Sequence, residues 1–131
     1  MRTGLDSGFF IALYQGREEA LNLWEKLQDE DLIACILSGY EFFKVLMSRG
    51  EPMRELEEFW HTVEDACEIL PVDGKAIREA AKLERTYCLG GLDSLILATL
   101  LNGGCRRILT TDGKWKKISK TKKTKIEIFL S

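Results

Sequence analysis

Short unbroken apolar runs alternate along this chain with longer stretches in which apolar side chains recur every three or four residues. That pattern predicts strands buried on both faces, separated by amphipathic helices. Residues 1–5 offer a weak first strand. Phe9, Phe10, Ile11, Leu13 and Tyr14 then suit a short helix ending at Gly16, and residues 17–28 place Leu21, Leu23, Trp24 and Leu27 at helical spacing. After the polar break Asp29-Glu30-Asp31, residues 32–37 predict a second strand. Ser38 opens a helix reaching about Arg49, which Gly50 and Pro52 stop. Residues 53–66 form a further helix with Leu56, Phe59, Trp60 and Val63 on one face. Residues 67–71 predict a short outer strand, because Pro71 cannot donate a ladder hydrogen bond.

Asp73 can cap a helix over about residues 75–87, and Gly90-Gly91 separate it from a helix containing residues 95–101. Asn102-Gly103-Gly104 terminate the latter. Residues 107–110 predict a strand running into Asp112, and residues 125–130 alternate as an edge strand does. This order predicts one α/β domain over residues 1–131. Its expected architecture is a three-layer α/β/α sandwich with a mainly parallel central sheet, without internal repeats.

The composition supports that reading. A chain of 131 residues that is 45% hydrophobic can bury a core of its own. No apolar stretch reaches the roughly 18 residues that span a bilayer, and no basic segment precedes an apolar core at the N-terminus, so a cytoplasmic protein without membrane association is expected. Cys35, Cys67, Cys88 and Cys105 lack paired C-x-x-C spacing and the chain has one histidine, His61, a poor set for zinc. They are predicted as buried thiols; two disulfides are disfavoured in a reducing cytosol.

The net charge of −2 conceals an asymmetry: residues 1–105 carry 10 basic and 19 acidic side chains, residues 106–131 carry 9 and 2. Arg106, Arg107, Lys114, Lys116, Lys117, Lys120, Lys122, Lys123 and Lys125 form either a phosphate-binding tail or a solvated lysine-rich face. Trp115, among them, suits either the core or a stacking surface for an unpaired base.

Against this background, acids recur where apolar runs end: Asp6 in Leu5-Asp6-Ser7, Asp93 in Leu92-Asp93-Ser94, and Asp112 after Leu109-Thr110-Thr111. If those runs are neighbouring parallel elements, acids distant in sequence meet at one sheet edge, where open α/β sheets bind ligands. Each acid also has an ordinary explanation. Asp6 and Asp93 sit at N-cap positions, Asp112-Gly113 is a turn signal, and Ser38 with Glu41 three residues later matches a capping box. Asp73 shows that position alone cannot identify a ligand.

Taken in order, Leu5-Asp6-Ser7, Ser38-x-x-Glu41, Leu92-Asp93-Ser94-Leu95-Ile96-Leu97-Ala98-Thr99 and Leu109-Thr110-Thr111-Asp112 resemble the PIN domain, the nuclease fold of VapC-type toxins from toxin–antitoxin pairs. The resemblance spans almost the whole chain. It implies a Mg²⁺- or Mn²⁺-dependent endoribonuclease acting on single-stranded or structured RNA, with Asp6, Glu41, Asp93 and Asp112 as the acidic, metal-holding site and Thr110 at the family's hydroxyl position. It further implies a homodimer inhibited by a small antitoxin. Hard divalent ions prefer carboxylate oxygens and retain waters, so such a set needs neither histidine nor cysteine. Of the four, Asp6 and Asp112 follow strands and are the expected direct ligands.

Close carboxylates repel, so the metal-free site should hold protons more readily than isolated acids do. Where many family members carry another acid soon after the fourth, this chain has Gly113-Lys114-Trp115-Lys116. His61 is expected at the surface or in helix packing, and Ser7 and Ser94 as helix-start residues. Phe9, Phe10, Tyr14, Phe42, Phe43 and Trp60 are expected in the core, with antitoxin contact as the alternative. Rival classes are an RNA-processing PIN nuclease, a PIN-like module that binds RNA or protein without cutting, and a phospho-receiver; the late position of Asp93 argues against the last.

Overall fold

The computed structural model describes residues 1–120 and 124–128. Its elements are, in order, β1 (Arg2–Leu5), α1 (Ser7–Tyr14), α2 (Glu18–Lys26), β2 (Asp31–Cys35), α3 (Ile36–Ser48), α4 (Met53–Ala66), β3 (Glu68–Leu70), α5 (Gly74–Tyr87), α6 (Gly91–Asn102), β4 (Arg107–Thr110), a 3-10 helix (Gly113–Lys120) and β5 (Lys125–Ile128). The strands form one five-stranded sheet in the order β3-β2-β1-β4-β5, parallel throughout. From β1 the chain moves outward to β2 and β3, then returns to the opposite side of β1 for β4 and β5. The switch of direction lies between β1 and β4, so a crevice opens where those two strands end.

Alternation along each strand divides the core into two layers. Leu32 and Ala34 of β2 and Leu109 of β4 face a cluster formed with α1 to α4, whereas Ile33, Cys35 and Ile108 face one formed with α5, α6 and the 3-10 helix. Both faces are covered, which is why these strands read as continuous apolar runs. In the first layer Phe42 stacks on Phe59 at 5.3 Å between ring centroids, and Phe10 meets Trp60 edge-on at 5.4 Å. Phe9, Phe10, Phe42 and Trp60 are therefore core residues, with Tyr14 and Phe43 packed at its margin.

The opposite, N-terminal edge of the sheet is tied by charge. Arg2 of β1 reaches Asp31 of β2 at 2.8 Å and Glu68 of β3 at 3.2 Å, while Arg107 of β4 reaches Glu30 at 2.7 Å and Glu127 of β5 at 3.5 Å. Each arginine thus joins its strand to neighbours on both sides or across two strands. Exposed pairs of this kind contribute little individually, but the half-buried Arg107–Glu30 pair, next to the buried Thr3 hydroxyl, is met only by this strand order.

Several predicted boundaries move. β2 ends at Cys35 and α3 begins at Ile36, two residues before Ser38, so Ser38 is not an N-cap: its hydroxyl is buried without a hydrogen-bond partner among the described residues. The expected capping box with Glu41 does not form. The 3-10 helix was not legible, because its three-residue period mimics a loop with scattered apolar positions. It buries Trp115 completely, which removes the base-stacking alternative for that residue. Cys35, Cys67 and Cys105 are buried thiols as expected; Cys88 instead is exposed, ending α5 in the left-handed conformation at φ 56°. His61 is a surface residue, 3.4 Å from Glu64. The predicted last strand is observed as far as Ile128, and residues 129–130 of it lie outside the described residues.

One close approach is testable. Gly39 lets α3 rest on the Trp60 ring, and a Cβ there would lie 2.9 Å from Trp60 Cζ2. Gly39→Ala should destabilise the fold by about 1–3 kcal/mol, read as a lower midpoint in urea with an unchanged slope; a midpoint equal to wild type would show that the ring yields freely.

Candidate functional site

The site begins with β1. Leu5 is the last strand residue, and the Asp6 amide extends the ladder by donating to the Leu109 carbonyl at 3.1 Å. Extended backbone at Asp6 then gives way to α1, whose N-cap it is: Asp6 Oδ1 accepts from the Ser7 amide at 2.8 Å. The cap reading is correct, but it uses one oxygen only. Asp6 Oδ2 accepts from the Thr110 hydroxyl of β4 at 2.7 Å, and Thr110 Oγ1 in turn accepts from the Asp112 amide at 3.0 Å. Thr110 is buried and does not line the crevice; it locks the Asp6 carboxylate to the turn that carries Asp112. Asp112 Oδ1 caps that turn through the Lys114 amide at 2.9 Å. Gly8 completes the seat, since a Cβ there would meet Thr111 Oγ1 and lie 3.1 Å from Thr111 Cβ.

The remaining acids arrive on helices. Glu41, on α3, accepts a hydrogen bond from Ser7 Oγ, which also lies 3.3 Å from Asp6 Oδ1. Ser7 therefore orients Glu41 and is more than the helix-start residue expected; a hydroxyl directly after the first acid was the available signal. Asp93 is not the N-cap of its helix. Gly90 holds that position, and Asp93 lies in the first turn of α6, where the helix N-terminus favours negative charge.

Asp6, Glu41, Asp93 and Asp112 all line one cavity of about 420 Å³ at the β1/β4 switch point. The four come from four separate elements, and the fold brings them all to the same crevice. Only 5% of Asp6 is exposed, and burial, aided by the charges of Glu41 and Asp93, pushes its carboxyl up to about 7 despite the hydrogen bonds from Thr110 and Ser7. Asp93 is raised too, first by burial and then by Glu41 and Asp112, while Lys114 and Lys44 pull it down. Raised proton affinity is the expected state of crowded carboxylates without a cation.

Among the described residues, no three acidic, histidine or cysteine side chains converge tightly enough to cage an ion. The donor set nevertheless fits a hard cation such as Mg²⁺, which keeps several waters and takes one or two carboxylates rather than a full protein cage.

The basic residues are distributed otherwise than the sequence suggested. Arg107 and Lys125 are engaged by Glu30 and Glu127 at the far, N-terminal edge of the sheet. Lys122, Lys123 and the Lys120 side chain lie outside what the structure describes. Lys114 of the predicted tail acts electrostatically on Asp93, and so does Lys44, from the acidic part of the chain.

A fully parallel, three-layer α/β/α sheet with carboxylates gathered at its switch point defines the PIN-like class of domains. The PIN domain family profile matches residues 5–121, and the chain belongs to that family, whose members are nucleases. No curated protein matches it significantly in sequence. Solved structures share the fold: VapBC2 from Rickettsia felis, bound to a promoter DNA fragment, is similar with a TM-score of 0.76 and 13% identity over 98% of this chain and 99% of that one. VapC20 of Mycobacterium tuberculosis, a Sarcin-Ricin loop cleaving toxin, has a TM-score of 0.73 and 14% identity over 88% and 94%. VapBC-5 of the same organism has a TM-score of 0.67 and 20% identity over 98% of each chain.

The raised Asp6 carboxyl fixes the sign of a pH effect. The native state holds a proton that the unfolded chain releases near pH 4, so without divalent ions stability should fall as pH rises from about 4 to about 7 and then level off. Asp6→Asn should flatten that slope and be more stable than wild type above about pH 7, on the order of a few kcal/mol. Denaturant melts across pH test this, and a wild-type slope of opposite sign would disprove it. Thr110→Val removes a hydrogen bond that favours ionised Asp6, and should raise its carboxyl further in an NMR titration.

Proposed function

We propose that this chain is a divalent-metal-dependent endoribonuclease that hydrolyses phosphodiester bonds of single-stranded RNA, and that it is the toxin of a toxin–antitoxin pair. The observation that carries the proposal is the meeting of Asp6, Glu41, Asp93 and Asp112, from four separate elements, in one crevice that offers oxygen ligands alone. Membership of the PIN family supports nuclease chemistry, and the similarity to chains solved in toxin–antitoxin complexes supports the biological setting.

In this reading Asp6 and Asp112, at the ends of adjacent strands, hold Mg²⁺ or Mn²⁺, and Asp93 and Glu41 complete the shell directly or through water. A divalent ion bound there lowers the pKa of water and offsets charge developing on the phosphate. The protein's own part is positional. Thr110 fixes the rotamer of Asp6, Ser7 fixes Glu41, and the Lys44 and Lys114 ammonium groups near Asp93 attract the phosphate. A cation held by Asp6 would compete with the proton its raised carboxyl retains, so binding should grow tighter as pH rises toward neutrality. A homodimer, a small antitoxin partner and a cytoplasmic location belong to the same proposal; no helix among the described residues is long and apolar enough to cross a membrane.

The test is cleavage of labelled single-stranded RNAs by the partner-free protein with Mg²⁺ or Mn²⁺. Asp93→Asn and a chelator should each reduce cleavage by about 100-fold or more while RNA affinity is retained, since charge stabilisation at the reacting centre is worth at least that much. Added Mg²⁺ should also raise the melting temperature of wild type and not of Asp93→Asn. Equal cleavage by wild type and Asp93→Asn, or full activity in chelator, would overturn the proposal.

A further inference from the structure

The acidic crevice is one end of a longer groove. Its walls are α1 and α3, which run side by side in the same direction: Ser7 meets Glu41 near their beginnings, and Tyr14 Oη donates to Glu51 at 3.0 Å near their ends. Along α3 the groove is lined by Glu41, Val45 and Arg49, one residue per turn. Along α1 it passes Ser7, Ile11 and Gln15 and reaches Arg17. The eight steps from Glu41 to Arg49 correspond to about 12 Å of helix. The cavity therefore changes character along its length, from carboxylates through an apolar middle to a pair of guanidinium groups.

Both guanidinium groups are available. Although acids line the same cavity, neither Arg17 nor Arg49 forms a side-chain hydrogen bond or ion pair among the described residues. Glu51, close to Arg49 in sequence, directs its carboxylate to the Tyr14 hydroxyl instead. Two unpaired guanidinium groups facing a groove suit an anion, and their planar forks match phosphate oxygens.

We infer that Arg17 and Arg49 form a phosphate clamp that grips the RNA backbone at a nucleotide neighbouring the one that is cut. The inference rests on the endoribonuclease reading and adds the direction in which the strand lies: along the α1/α3 groove, with sugar or base over Ile11 and Val45 between the two charged ends. The clamp positions the strand and takes no part in bond breaking.

The test uses binding, so that it does not depend on cleavage. In the full chain carrying Asp93→Asn, affinity for a labelled random-sequence single-stranded RNA oligonucleotide is measured by anisotropy over a salt series. Arg17→Ala and Arg49→Ala should each weaken binding by about tenfold and lower the salt slope by about 0.7. Lysine at either position should restore the slope but only part of the affinity. Arg54→Ala, which breaks a surface pair with Glu58 on α4, should change neither. With Asp93 intact, the arginine variants should raise KM and leave kcat close to wild type.

Absence of RNA binding at low salt, or unchanged affinity and slope in both variants, would overturn the clamp. Unchanged RNA binding with weakened binding of an oligo-glutamate peptide would assign the arginines to an acidic protein segment instead. Clamp-dependent binding without cleavage by the Asp93 protein would count against the nuclease reading and leave the clamp standing.

Discussion

A carboxylate held almost out of water where two strands part is the constraint around which this domain is arranged. Burial of Asp6 would be prohibitive without compensation, and the fold supplies it in a specific way: the Ser7 amide on one oxygen, the Thr110 hydroxyl on the other. Those two bonds join α1 to β4, and the Asp112 amide, donating to the same Thr110 hydroxyl, ties in the turn. They are not sufficient to keep the acid in its usual range, because burial and the neighbouring charges of Glu41 and Asp93 outweigh them.

The rest of the structure holds that arrangement still. Helices α1 to α4 cover one face of the sheet through an aromatic-rich core, while α5, α6 and the 3-10 helix cover the other. At the distant edge, Arg2 and Arg107 link strands through acids that this strand order places within reach. Among the described residues, the two ends of the sheet thus carry opposite arrangements of charge: ion pairs at the N-terminal edge, and carboxylates without cationic partners at the other. In the α1/α3 groove, likewise, Arg17 and Arg49 form no side-chain ion pair among the described residues although acids share the cavity.

Much of this could be read from residue order. Two-sided burial makes a strand a continuous apolar run, so residues 32–37 announced β2, and Pro71 announced an outer strand at β3. That Asp6, Glu41, Asp93 and Asp112 would meet in one crevice was legible because acids interrupt apolar runs at corresponding places. Boundaries were less so. Ser38 and Asp93 looked like caps because their residue type suits one, yet backbone geometry starts both helices earlier, at Ile36 and Gly91. In the basic tail, charge density in sequence does not reveal which cations are already neutralised, and Arg107 is, by Glu30 and Glu127.

The sequence by itself determined the class of fold and the parallel sheet, and it marked Asp6, Glu41, Asp93 and Asp112 as acids that end or interrupt apolar runs, because hydrophobic period and residue chemistry are local properties written directly in the chain. Only the tertiary structure decided that Thr110 serves Asp6 from beneath the crevice, that Ser7 orients Glu41, and that Arg17 and Arg49 share a groove with the acids. Those relations join residues separated by up to 104 positions, and they depend on strand order and on how α1 lies along α3. No local pattern encodes them, since each partner is chosen by the packing of elements on the sheet and not by its neighbours in the chain.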